Sequence, residues 1–524
     1  PEDAAIGAYA LWVKNQYGWS KPVYINRARA LWLSTEQASA GNDVYVSGRN
    51  FDLSEIGGKT NTHVRLSGDN GSFEADILDI NPFAIRFTMS ESVPSGDYVV
   101  SVSNDGVLYS ESDDGIPLTV KDKVNDPYNI GVSWADEFNW DNSVNVKDFG
   151  AVGDASKYDT EAIQAAIDSV AEEGGIVYLP EGTYVIESLK LPGYVVIAGD
   201  GMDKTTLLYR GDIENRPQSE INADIIVQSD YERRGIEGRQ GILNLTIDID
   251  KSSDVKYQPK NYFWLGHGWN PLNASIRTAK YIFVKNSRIG TRSFDWEKME
   301  GVSGLGDRLR KAASLVAADK YLLVEGCEFL GDTASFTSTY MNRYIMFRNN
   351  IVNTFYGNVA CHCENTIYEN NSITRCPWYI GKDVGTSRQG IYSRNNSYVA
   401  NNTINNTGCY MGDGEVIATE AYNSGTRMYG NVEAAGASTL KLKPKTNKVG
   451  FVLDNKTWGN DGWDLSKRGY GTWNIVITEG RGIGQRRNIT SSDRNTRTMK
   501  IDRPWDIIPD STSKFTVYLP EDHI

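Results

Sequence analysis

The sequence predicts an all-β protein whose larger part is a right-handed parallel β-helix, a solenoid with one coil per repeat. Three observations support this fold class. A pattern that contains Asn-Asn recurs at coil-length intervals, an amphipathic helix precedes the repeats, and short alternating strands between turn residues fill the region before that helix. We therefore expect an N-terminal capping helix on the solenoid, preceded by a small immunoglobulin-like β-sandwich.

The repeat combines an apolar residue, the pair Asn-Asn and a following apolar residue. It occurs at 347–351, 368–373 and 399–404, with weaker copies at 284–289 and 324–329. Aligning Glu325, Arg348, Glu369 and Ala400 gives steps of 23, 21 and 31 residues. Steps of this size indicate one coil per repeat. Asn suits the tight bend because it tolerates the left-handed conformation and its amides can stack in ladders.

The capping helix is expected at 159–168. Asp159 is the expected N-cap, and four apolar residues between 162 and 167 fall on one face. Residues 308–317 also have a helix-like composition, which we interpret as an insertion between coils. A second insertion, near 377–389, explains the step of 31. Loops on a rigid scaffold tend to carry function, so these insertions direct the search for a site.

Composition excludes several classes of protein. The formal net charge of −13 argues against nucleic acid, because its binding depends on Lys and Arg. No apolar run has the length of a membrane span. The sequence starts abruptly at Pro1, so we expect an extracellular or cell-surface protein whose export signal has already been removed.

The cysteines do not predict a metal site. There are five, an odd number, so no complete disulfide framework is expected. Cys361-His362-Cys363 resembles a metal cluster, but a zinc site needs further ligands at suitable spacing. We interpret the thiols as small buried side chains of a stacked core. We therefore predict that no metal is bound by this cluster.

Two stretches of sequence resemble known families. VKDFGAVGDASKYDTEAIQAAID, followed by GGIVYLPEGTYVI, resembles the opening of the pectate-lyase-3-like, polygalacturonase-related β-helix superfamily. That resemblance implies a helix-capped β-helix and an activity among hydrolases, lyases and tailspike enzymes, without choosing the reaction. GNDVYVSGRNF and VPSGDYVVSVSNDG resemble IPT/TIG modules, which imply positioning or binding rather than catalysis.

These observations divide the chain, whose 524 residues are too many for one compact core, into five segments. They are an N-terminal segment that packs on the rest (1–31), a β-sandwich (32–121), a linker (122–143), the β-helix catalytic domain (144–428) and C-terminal β-rich coils or a cap (429–524).

The candidate catalytic residues are carboxylates outside the coil bends. Glycoside hydrolysis needs two carboxyl groups, one as acid and one as base or nucleophile. With the step of 31, Asp383 is expected one coil, about 5 Å, from Asp413 and Glu415. We predict Asp383 and Glu415 as the pair, then Asp413, with Glu420 fourth. The alternative interpretation is that these residues occupy solvated turns, since Asp413-Gly414 is itself a turn signal.

Side chains suited to sugar binding surround these carboxylates in the sequence. Aromatic rings can stack on sugar rings, and charged or polar groups can bind their substituents, although core or ladder positions would also explain the rings. The predicted substrate-binding residues are Trp269, Trp296, His362, Glu364, Trp378, Tyr379, Lys382, Arg388, Tyr392 and Tyr410.

The predicted function is a glycoside hydrolase that cleaves a polysaccharide or oligosaccharide and needs no cofactor. The first alternative is a polysaccharide lyase that acts on a uronate polymer. It would use a Lys or Arg base, or calcium bound by Asp and Glu. The second alternative is a non-catalytic carbohydrate-binding protein of tailspike type. The oligomeric state stays open.

Overall fold

The computed structural model describes most of the chain, in segments separated by gaps. The described residues are 5–16, 18–109, 116–212, 214–221, 223–250, 259–266, 279–290, 313–331, 335–338, 343–354, 359–361, 364–375, 391–393, 396–405, 417–419, 425–443, 474–493 and 496–519.

Residues before 122 form two short antiparallel ribbons and two sheets. The ribbons pair Tyr9–Leu11 (β1) with Val23–Ile25 (β4), and Lys14–Asn15 (β2) with Gly18–Trp19 (β3). The strands of the two sheets are Arg29–Leu33 (β5), Gln37–Ser39 (β6), Asp43–Arg49 (β7), His63–Gly68 (β8), Gly71–Glu74 (β9), Asp76–Ile80 (β10), Ala84–Thr88 (β11), Gly96–Ser103 (β12) and Ile116–Lys121 (β13).

These two sheets share one hydrophobic core. Their strand orders are β10-β11-β7-β5 and β6-β13-β12-β8-β9. Val46 and Phe87 from the first sheet are buried together with Leu66 and Val100 from the second. Alternating apolar residues on both sheets bury one face of each against the other. The resemblance of this region to IPT/TIG modules, like the five segment boundaries, stays a prediction.

The solenoid consists of three parallel sheets, which confirms the predicted β-helix. Sheet 1 contains Ser143–Asn145 (β14), Gly175–Leu179 (β16), Val195–Gly199 (β19), Gly238–Leu243 (β22), Lys280–Lys285 (β25), Lys320–Glu325 (β28), Arg343–Arg348 (β31), Glu364–Glu369 (β34) and Ser397–Ala400 (β37). Sheet 2 contains Asp154–Tyr158 (β15), Gly182–Ile186 (β17), Thr205–Tyr209 (β20), Thr246–Ile249 (β23), Arg288–Ile289 (β26), Glu328–Gly331 (β29), Ile351–Thr354 (β32), Ser372–Arg375 (β35) and Thr403–Asn405 (β38). Sheet 3 contains Leu189–Leu191 (β18), Ile225–Ser229 (β21), Asn261–Gly266 (β24), Ala313–Ala317 (β27), Ser335–Ser338 (β30), Val359–Cys361 (β33), Ile391–Ser393 (β36) and Ile417–Thr419 (β39).

The coil register read from the repeat is confirmed. Glu325 pairs with Arg348, Arg348 with Glu369, and Glu369 with Ala400. The same step of 31 relates Ser372 to Thr403 in the neighbouring sheet. Each coil therefore buries its apolar residues against the coils above and below it, as expected of a solenoid.

The bend between sheets 1 and 2 is built by the Asn-Asn pairs. The first residue of each pair adopts the left-handed conformation, with φ of 57° at Asn349 and 56° at Asn370. The second residues stack, because the Asn350 backbone N–H donates to Asn371 Oδ1 at 3.0 Å and the Asn371 N–H donates to Asn402 Oδ1 at 2.9 Å. The predicted amide ladder is therefore present.

Earlier coils place other small polar residues in the ladder position. The Cys327 N–H donates to Asn350 Oδ1 at 2.9 Å, and Cys327 Sγ donates to the Val284 carbonyl at 3.2 Å. Full burial raises the pKa of the Cys327 thiol to about 12. Cys327 is thus the buried thiol that the sequence predicted, and the side chains of the other four cysteines lie outside the described residues.

The capping helix spans Thr160–Val170 (α1), and its buried face includes Ile163, Ala166 and Ile167. Asp159 is the N-cap residue, as predicted, and its carbonyl accepts from the Ile163 N–H at 3.0 Å, but its side chain does not cap the helix. Its carboxylate accepts hydrogen bonds from the Val152 N–H at 2.7 Å and the Gly153 N–H at 3.1 Å, because the preceding turn folds back over the helix start.

The helix also covers the exposed end of sheet 3. The Gln164 amide accepts from the Lys190 N–H at 2.9 Å and donates to the Lys190 carbonyl at 3.1 Å. These bonds satisfy backbone groups of the first strand, β18, which has a neighbour on one side only. The other described helices are Gln218–Ile221 (α2) and the 3₁₀ turns Ser54–Ile56, Ala135–Glu137, Val146–Phe149 and Gly235–Glu237.

The helix-like interpretation of 308–317 is wrong for its described part. Residues 313–317 form β27, which pairs with β24 and β30 in sheet 3. Ser314 and Val316 are buried, a period of two rather than of a helical turn. Helix-forming composition is a weak local preference, and pairing with strands on both sides outweighs it.

The two-sheet region and the residues after it pack on the outer face of sheet 1. Tyr45 donates to Glu369 Oε2 at 2.6 Å, and Lys320 Nζ donates to Glu36 Oε2 at 2.6 Å. Farther along, Phe138 packs edge-on against Phe283 with ring centroids 5.2 Å apart. Apolar and charge-assisted contacts therefore cover this sheet along several coils.

The C-terminal strands form a separate unit, a closed six-stranded barrel. Its core includes Val432, Ile475, Met499 and Val517. The strands are Gly425–Gly436 (β40), Thr439–Leu442 (β41), Asn474–Glu479 (β42), Arg486–Asp493 (β43), Thr498–Ile501 (β44) and Lys514–Leu519 (β45), joined in the order β40-β41-β44-β43-β42-β45.

Candidate functional site

Sheet 3 presents the face best suited to a ligand. The two-sheet region covers sheet 1, and from β22 onward bends of only two residues join sheet 1 to sheet 2. Five long connections lead from sheet 2 into sheet 3 and comprise residues 210–224, 250–260, 290–312, 376–390 and 406–416. Another, 267–279, leads from sheet 3 into sheet 1. The expected insertion at 377–389 lies in a connection of the first type, and the other shares residues 308–312 with one.

A lateral row of residues crosses the outer side of sheet 3. Lys190 pairs with Gln228, and Gln228 pairs with Trp264. The flanking residues Val227 and Phe263 point into the solenoid core, so the row lies on the opposite side. The register continues the row through Leu315, Thr337, Ala360 and Tyr392.

Trp264 is the aromatic side chain that the structure describes in this row. It is 9% exposed, and the exposed Lys260 holds its ammonium 5.5 Å from the indole centroid. An indole beside a cation offers an apolar surface for a sugar ring and a charge for an acidic substituent. The sequence alone did not single out Trp264, although its position in an apolar strand beside Lys260 was a usable signal.

An ion-paired cluster, which we call the corner cluster, lies where the first coils turn from sheet 2 into sheet 3. Arg216 forms a bidentate pair with Asp224, with both N–O distances 2.8 Å, and also contacts Glu187 at 3.3 Å. Tyr209 donates to Asp224 at 2.7 Å, and Arg210 donates to Asp250 at 2.6 Å.

The corner cluster keeps the Arg216 side chain charged and the Tyr209 hydroxyl protonated. The hydrogen bond that Arg216 donates to Asp224 raises the pKa of the guanidinium, and burial together with the hydrogen bond to Asp224 raises the pKa of Tyr209. The carboxylates of the cluster already accept hydrogen bonds from Arg216, Arg210 and Tyr209. These carboxylates therefore suit a positioning role at the edge of the sheet 3 face.

Sequence reasoning missed the corner cluster. Asp248 and Asp250 in the stretch Thr246-Ile-Asp-Ile-Asp250 are both buried. Charged residues at the end of an apolar strand were the available signal. The partner of Asp250, Arg210, comes from the preceding coil and could not be identified before the coils were stacked.

The four predicted catalytic residues lie outside the described residues. Asp383 belongs to the connection 376–390 between β35 and β36, and Asp413 and Glu415 belong to the connection 406–416 between β38 and β39. Glu420 follows β39 directly. The two connections enter neighbouring strands of sheet 3. The predicted distance between these carboxylates stays a prediction.

The predicted substrate-binding residues also fall largely outside the described part of the chain. Those outside it are Trp269, Trp296, His362, Trp378, Tyr379, Lys382, Arg388 and Tyr410. For Glu364 and Tyr392 only the backbone is described. Glu364 opens β34 in register with Arg343 of sheet 1, whereas Tyr392 occupies the sheet 3 row that contains Trp264.

The described ranges contain neither a candidate metal site nor a candidate membrane-spanning helix. Within them, no three His, Cys, Asp or Glu side chains are arranged to hold a metal ion. Neither described helix has the length and apolar composition that a membrane crossing requires.

Comparison with known families confirms the β-helix resemblance. Residues 143–377 match the family model described as rhamnogalacturonase A/epimerase, pectate lyase-like. The matched range begins at β14 and ends within the connection that follows β35. It thus contains the Trp264 position and the corner cluster.

Individual relatives match over short stretches. Mannuronan C5-epimerase AlgE3 of Azotobacter vinelandii is 47% identical over 72 residues, 12% of this chain and 4% of that protein. Plasmin and fibronectin-binding protein A of Streptococcus pneumoniae (strain ATCC BAA-255 / R6) is 41% identical over 80 residues, 15% of this chain and 11% of that protein. The chain therefore matches only a small part of each relative's length.

Among solved structures, the family 28 exopolygalacturonase of Yersinia enterocolitica aligns with a TM-score of 0.26 and 11% identity. The alignment covers 72% of this chain and 84% of that one.

Proposed function

We propose that this chain is a glycoside hydrolase that cleaves a polysaccharide bound across the outer face of sheet 3. The observation that carries the proposal is the row Lys190–Gln228–Trp264, on the sheet into which five long connections lead. The family model named for a rhamnogalacturonase and an epimerase spans this face, which supports a carbohydrate substrate.

In the proposed mechanism the sheet binds the polymer and the connections supply the reacting groups. One carboxyl group from Asp383 and Glu415 protonates the glycosidic oxygen, and the other acts as base or nucleophile. Trp264 supports a sugar ring, and Lys260 binds a polar or acidic substituent of it. The corner cluster holds the backbone of the connection 210–224 at the edge of the face.

Elimination on a uronate polymer is the second candidate function. Cations near the face favour it, since Lys190 and Lys260 are both exposed and could bind a uronate carboxylate. In that reaction Lys382 or Arg388 would remove the C5 proton, or bound calcium would neutralise the substrate carboxylate. One relative, named a mannuronan C5-epimerase, also fits a uronate substrate.

One experiment separates the two reactions. The purified chain is incubated with neutral and uronate polysaccharides, with and without a chelator, while reducing ends and ultraviolet absorbance of unsaturated uronates are recorded. Hydrolysis predicts new reducing ends without absorbance. Absorbance that rises with the reducing ends would overturn the hydrolase proposal in favour of elimination, and a loss of that absorbance with chelator would identify calcium as the cofactor.

Variants of the proposed carboxylates test their role. Asp383→Asn and Glu415→Gln are each expected to lower kcat by at least about a hundredfold, because each removes one proton-transfer group. Asp203→Asn is the matched control, since this exposed aspartate lies in a short turn between sheets 1 and 2. Full activity in both carboxylate variants would exclude them as the catalytic pair. Binding to a polysaccharide without any cleavage would instead favour a carbohydrate-binding protein.

We also propose that the protein acts outside the cell or on its surface, where such polymers occur.

A further inference from the structure

Two of the long connections are tied together where they enter sheet 3. The Asp224 carbonyl, at the end of the connection 210–224, accepts from the Lys260 N–H at 2.6 Å and from the Asn261 N–H at 3.4 Å. Lys260 is the last residue of the connection 250–260, so these bonds lie where the pairing of β21 with β24 begins. The position of Asp224 therefore influences where the backbone of Lys260 lies.

Lys260 in turn places its charge beside Trp264. Its side chain is exposed, and its ammonium lies 5.5 Å from the centroid of the indole. A cation attracts an aromatic face only within about 6 Å of the ring centroid. A small displacement of the Lys260 backbone is therefore enough to separate the ammonium from the indole.

The Asp224 carboxylate is held by three hydrogen bonds. Arg216 donates two of them, each at 2.8 Å, and Tyr209 donates the third at 2.7 Å. Arg216 also donates to Glu187 at 3.3 Å, which joins this connection to the preceding coil. The planar guanidinium matches both carboxylate oxygens in one orientation, so it fixes the direction of the Asp224 side chain as well as its position.

A second contact between the same two connections lies at their other ends. Arg210 donates to Asp250 at 2.6 Å, and the Asp250 N–H donates to the Tyr209 carbonyl at 2.8 Å. Asp250 is ten residues before Lys260 in the sequence. Within the described part of these connections, the tie at Asp224 is thus the one adjacent to Lys260.

We propose that Arg216 is a positioning residue for the outer face of sheet 3. It fixes Asp224, and through the Asp224 carbonyl it sets the Lys260 ammonium beside Trp264. The consequence for binding rests on the proposed function, in which this face holds a polysaccharide. On that basis Arg216 determines how strongly the face prefers a sugar with an anionic substituent, although Arg216 itself does not touch the sugar.

The test measures the position of the Lys260 side chain and needs no ligand. The lysines are reductively methylated with ¹³C-formaldehyde, and the dimethylammonium resonance of Lys260 is assigned by its loss in Lys260→Arg. The ring current of the indole displaces this resonance, and Trp264→Ala gives its chemical shift without that effect. We expect Arg216→Gln to move the resonance at least halfway to the Trp264→Ala value. Arg216→Lys keeps the charge without the planar fork and should restore the wild-type value only in part.

Arg233→Gln is the matched control. Arg233 also forms two ion pairs, with Asp168 at 2.7 Å and with Asp230 at 2.6 Å, but it lies in the turn that follows β21. This variant should leave the Lys260 resonance in place. Equal movement in Arg216→Gln and Arg233→Gln would overturn the proposal, because the effect would then be a general loosening of the fold.

An unchanged Lys260 resonance in Arg216→Gln would also overturn the proposal, since the pairing of β21 with β24 would then position Lys260 by itself. Tyr209→Phe serves as a second variant if Arg216→Gln does not fold. It removes one of the three hydrogen bonds to Asp224 and keeps the buried ring. A smaller movement in the same direction is expected, and no movement would contradict the proposal.

A binding measurement separates this inference from the proposed function. Calorimetry compares an oligogalacturonate with its neutral methyl ester, two probes that differ in charge. The wild type should bind the charged probe about threefold more tightly, as expected of one exposed ion pair, and Arg216→Gln should lose that preference. A preference retained in Arg216→Gln would overturn its effect on selectivity. If neither probe binds while the resonance moves as expected, the result counts against the proposed function and supports the positioning by Arg216.

Discussion

Removal of one amide from the ladder should destabilise the solenoid strongly. The Asn371 side chain is buried and forms bonds in both directions along the ladder. Its Oδ1 accepts from the Asn350 N–H at 3.0 Å, and its Nδ2 donates to the Phe347 carbonyl at 2.9 Å and to Asn402 Oδ1 at 2.8 Å. Asn371→Ala therefore leaves the buried Asn350 N–H without this acceptor and removes one hydrogen bond to the Phe347 carbonyl.

The expected cost follows from those two groups. A buried N–H without an acceptor costs about 1–3 kcal/mol and a lost hydrogen bond costs about 1 kcal/mol, so Asn371→Ala should lower the free energy of unfolding by about 2–4 kcal/mol. Asn371→Ser should cost less, because Ser287 occupies the same ladder position in an earlier coil and bonds the Lys285 carbonyl at 2.9 Å. Hydrogen exchange of the peptides that cover 343–375, together with urea unfolding, measures both effects.

The matched control is Asn353→Ala, an exposed asparagine of β32 on the same coil as Asn350. A surface substitution of this kind should change the free energy of unfolding by less than about 0.5 kcal/mol. If Asn371→Ala and Asn353→Ala have equal effects, the ladder does not hold the bend. The stability of the bend would then come from apolar packing of the coils alone.

Three further predictions concern ligand binding at the outer face of sheet 3, the contact of Tyr45 with sheet 1, and the pH dependence of stability. Trp264→Ala should weaken polysaccharide binding about fivefold, since an aromatic contact contributes about 1 kcal/mol, as calorimetry can measure. Tyr45→Phe should lower the unfolding free energy by about 1–3 kcal/mol, because buried Glu369 loses its donor. Burial acts to raise the pKa of Glu325, but Arg348 and Lys285 outweigh it and hold that pKa below 4.5. The stabilisation from the Glu325 charge is thus present above about pH 4.5 and is lost as the pH falls through the folded-state pKa. The difference in Tm between wild type and Glu325→Gln should therefore narrow from pH 6 to pH 3.

Each of these predictions has a control and a contrary result. Trp12→Ala changes an exposed indole far from the solenoid in sequence and should leave binding intact; equal losses in both tryptophan variants would contradict the proposed face. Tyr24→Phe removes an exposed hydroxyl, and a destabilisation as large as that of Tyr45→Phe would show that the Glu369 bond contributes nothing. A constant Tm gap across the pH range would refute the assignment of the charge effect to Glu325.

Part of the site could be anticipated and part could not. The connection that contains Asp383 was identified from the irregular step of 31, and the register of Glu369 with Ala400 confirms that step in the strands. The corner cluster gave no such periodic signal. Arg216 and Asp224 lie in one connection, 210–224, but Glu187 lies one coil earlier, and only the stacking of the first coils brings it to Arg216.

Two local sequence interpretations differ from the structure because of contacts from other parts of the chain. The composition of 308–317 favours a helix, yet 313–317 is a strand, because hydrogen bonds from β24 and β30 are available on both sides. Asp159 has the chemistry of an N-cap, yet its carboxylate binds the N–H groups of Val152 and Gly153. In both places a contact from outside the segment outweighs a preference within it.

The sequence by itself determined the coil. Left-handed Asn residues, apolar strands and steps of 21 to 31 residues are properties of single repeats, and each repeat contacts only its neighbours, so they could be recognised in order along the chain. The tertiary structure decided which sheet of the solenoid the two-sheet region covers. That choice depends on contacts such as Tyr45 with Glu369, which join residues more than three hundred positions apart and leave no periodic pattern in the sequence.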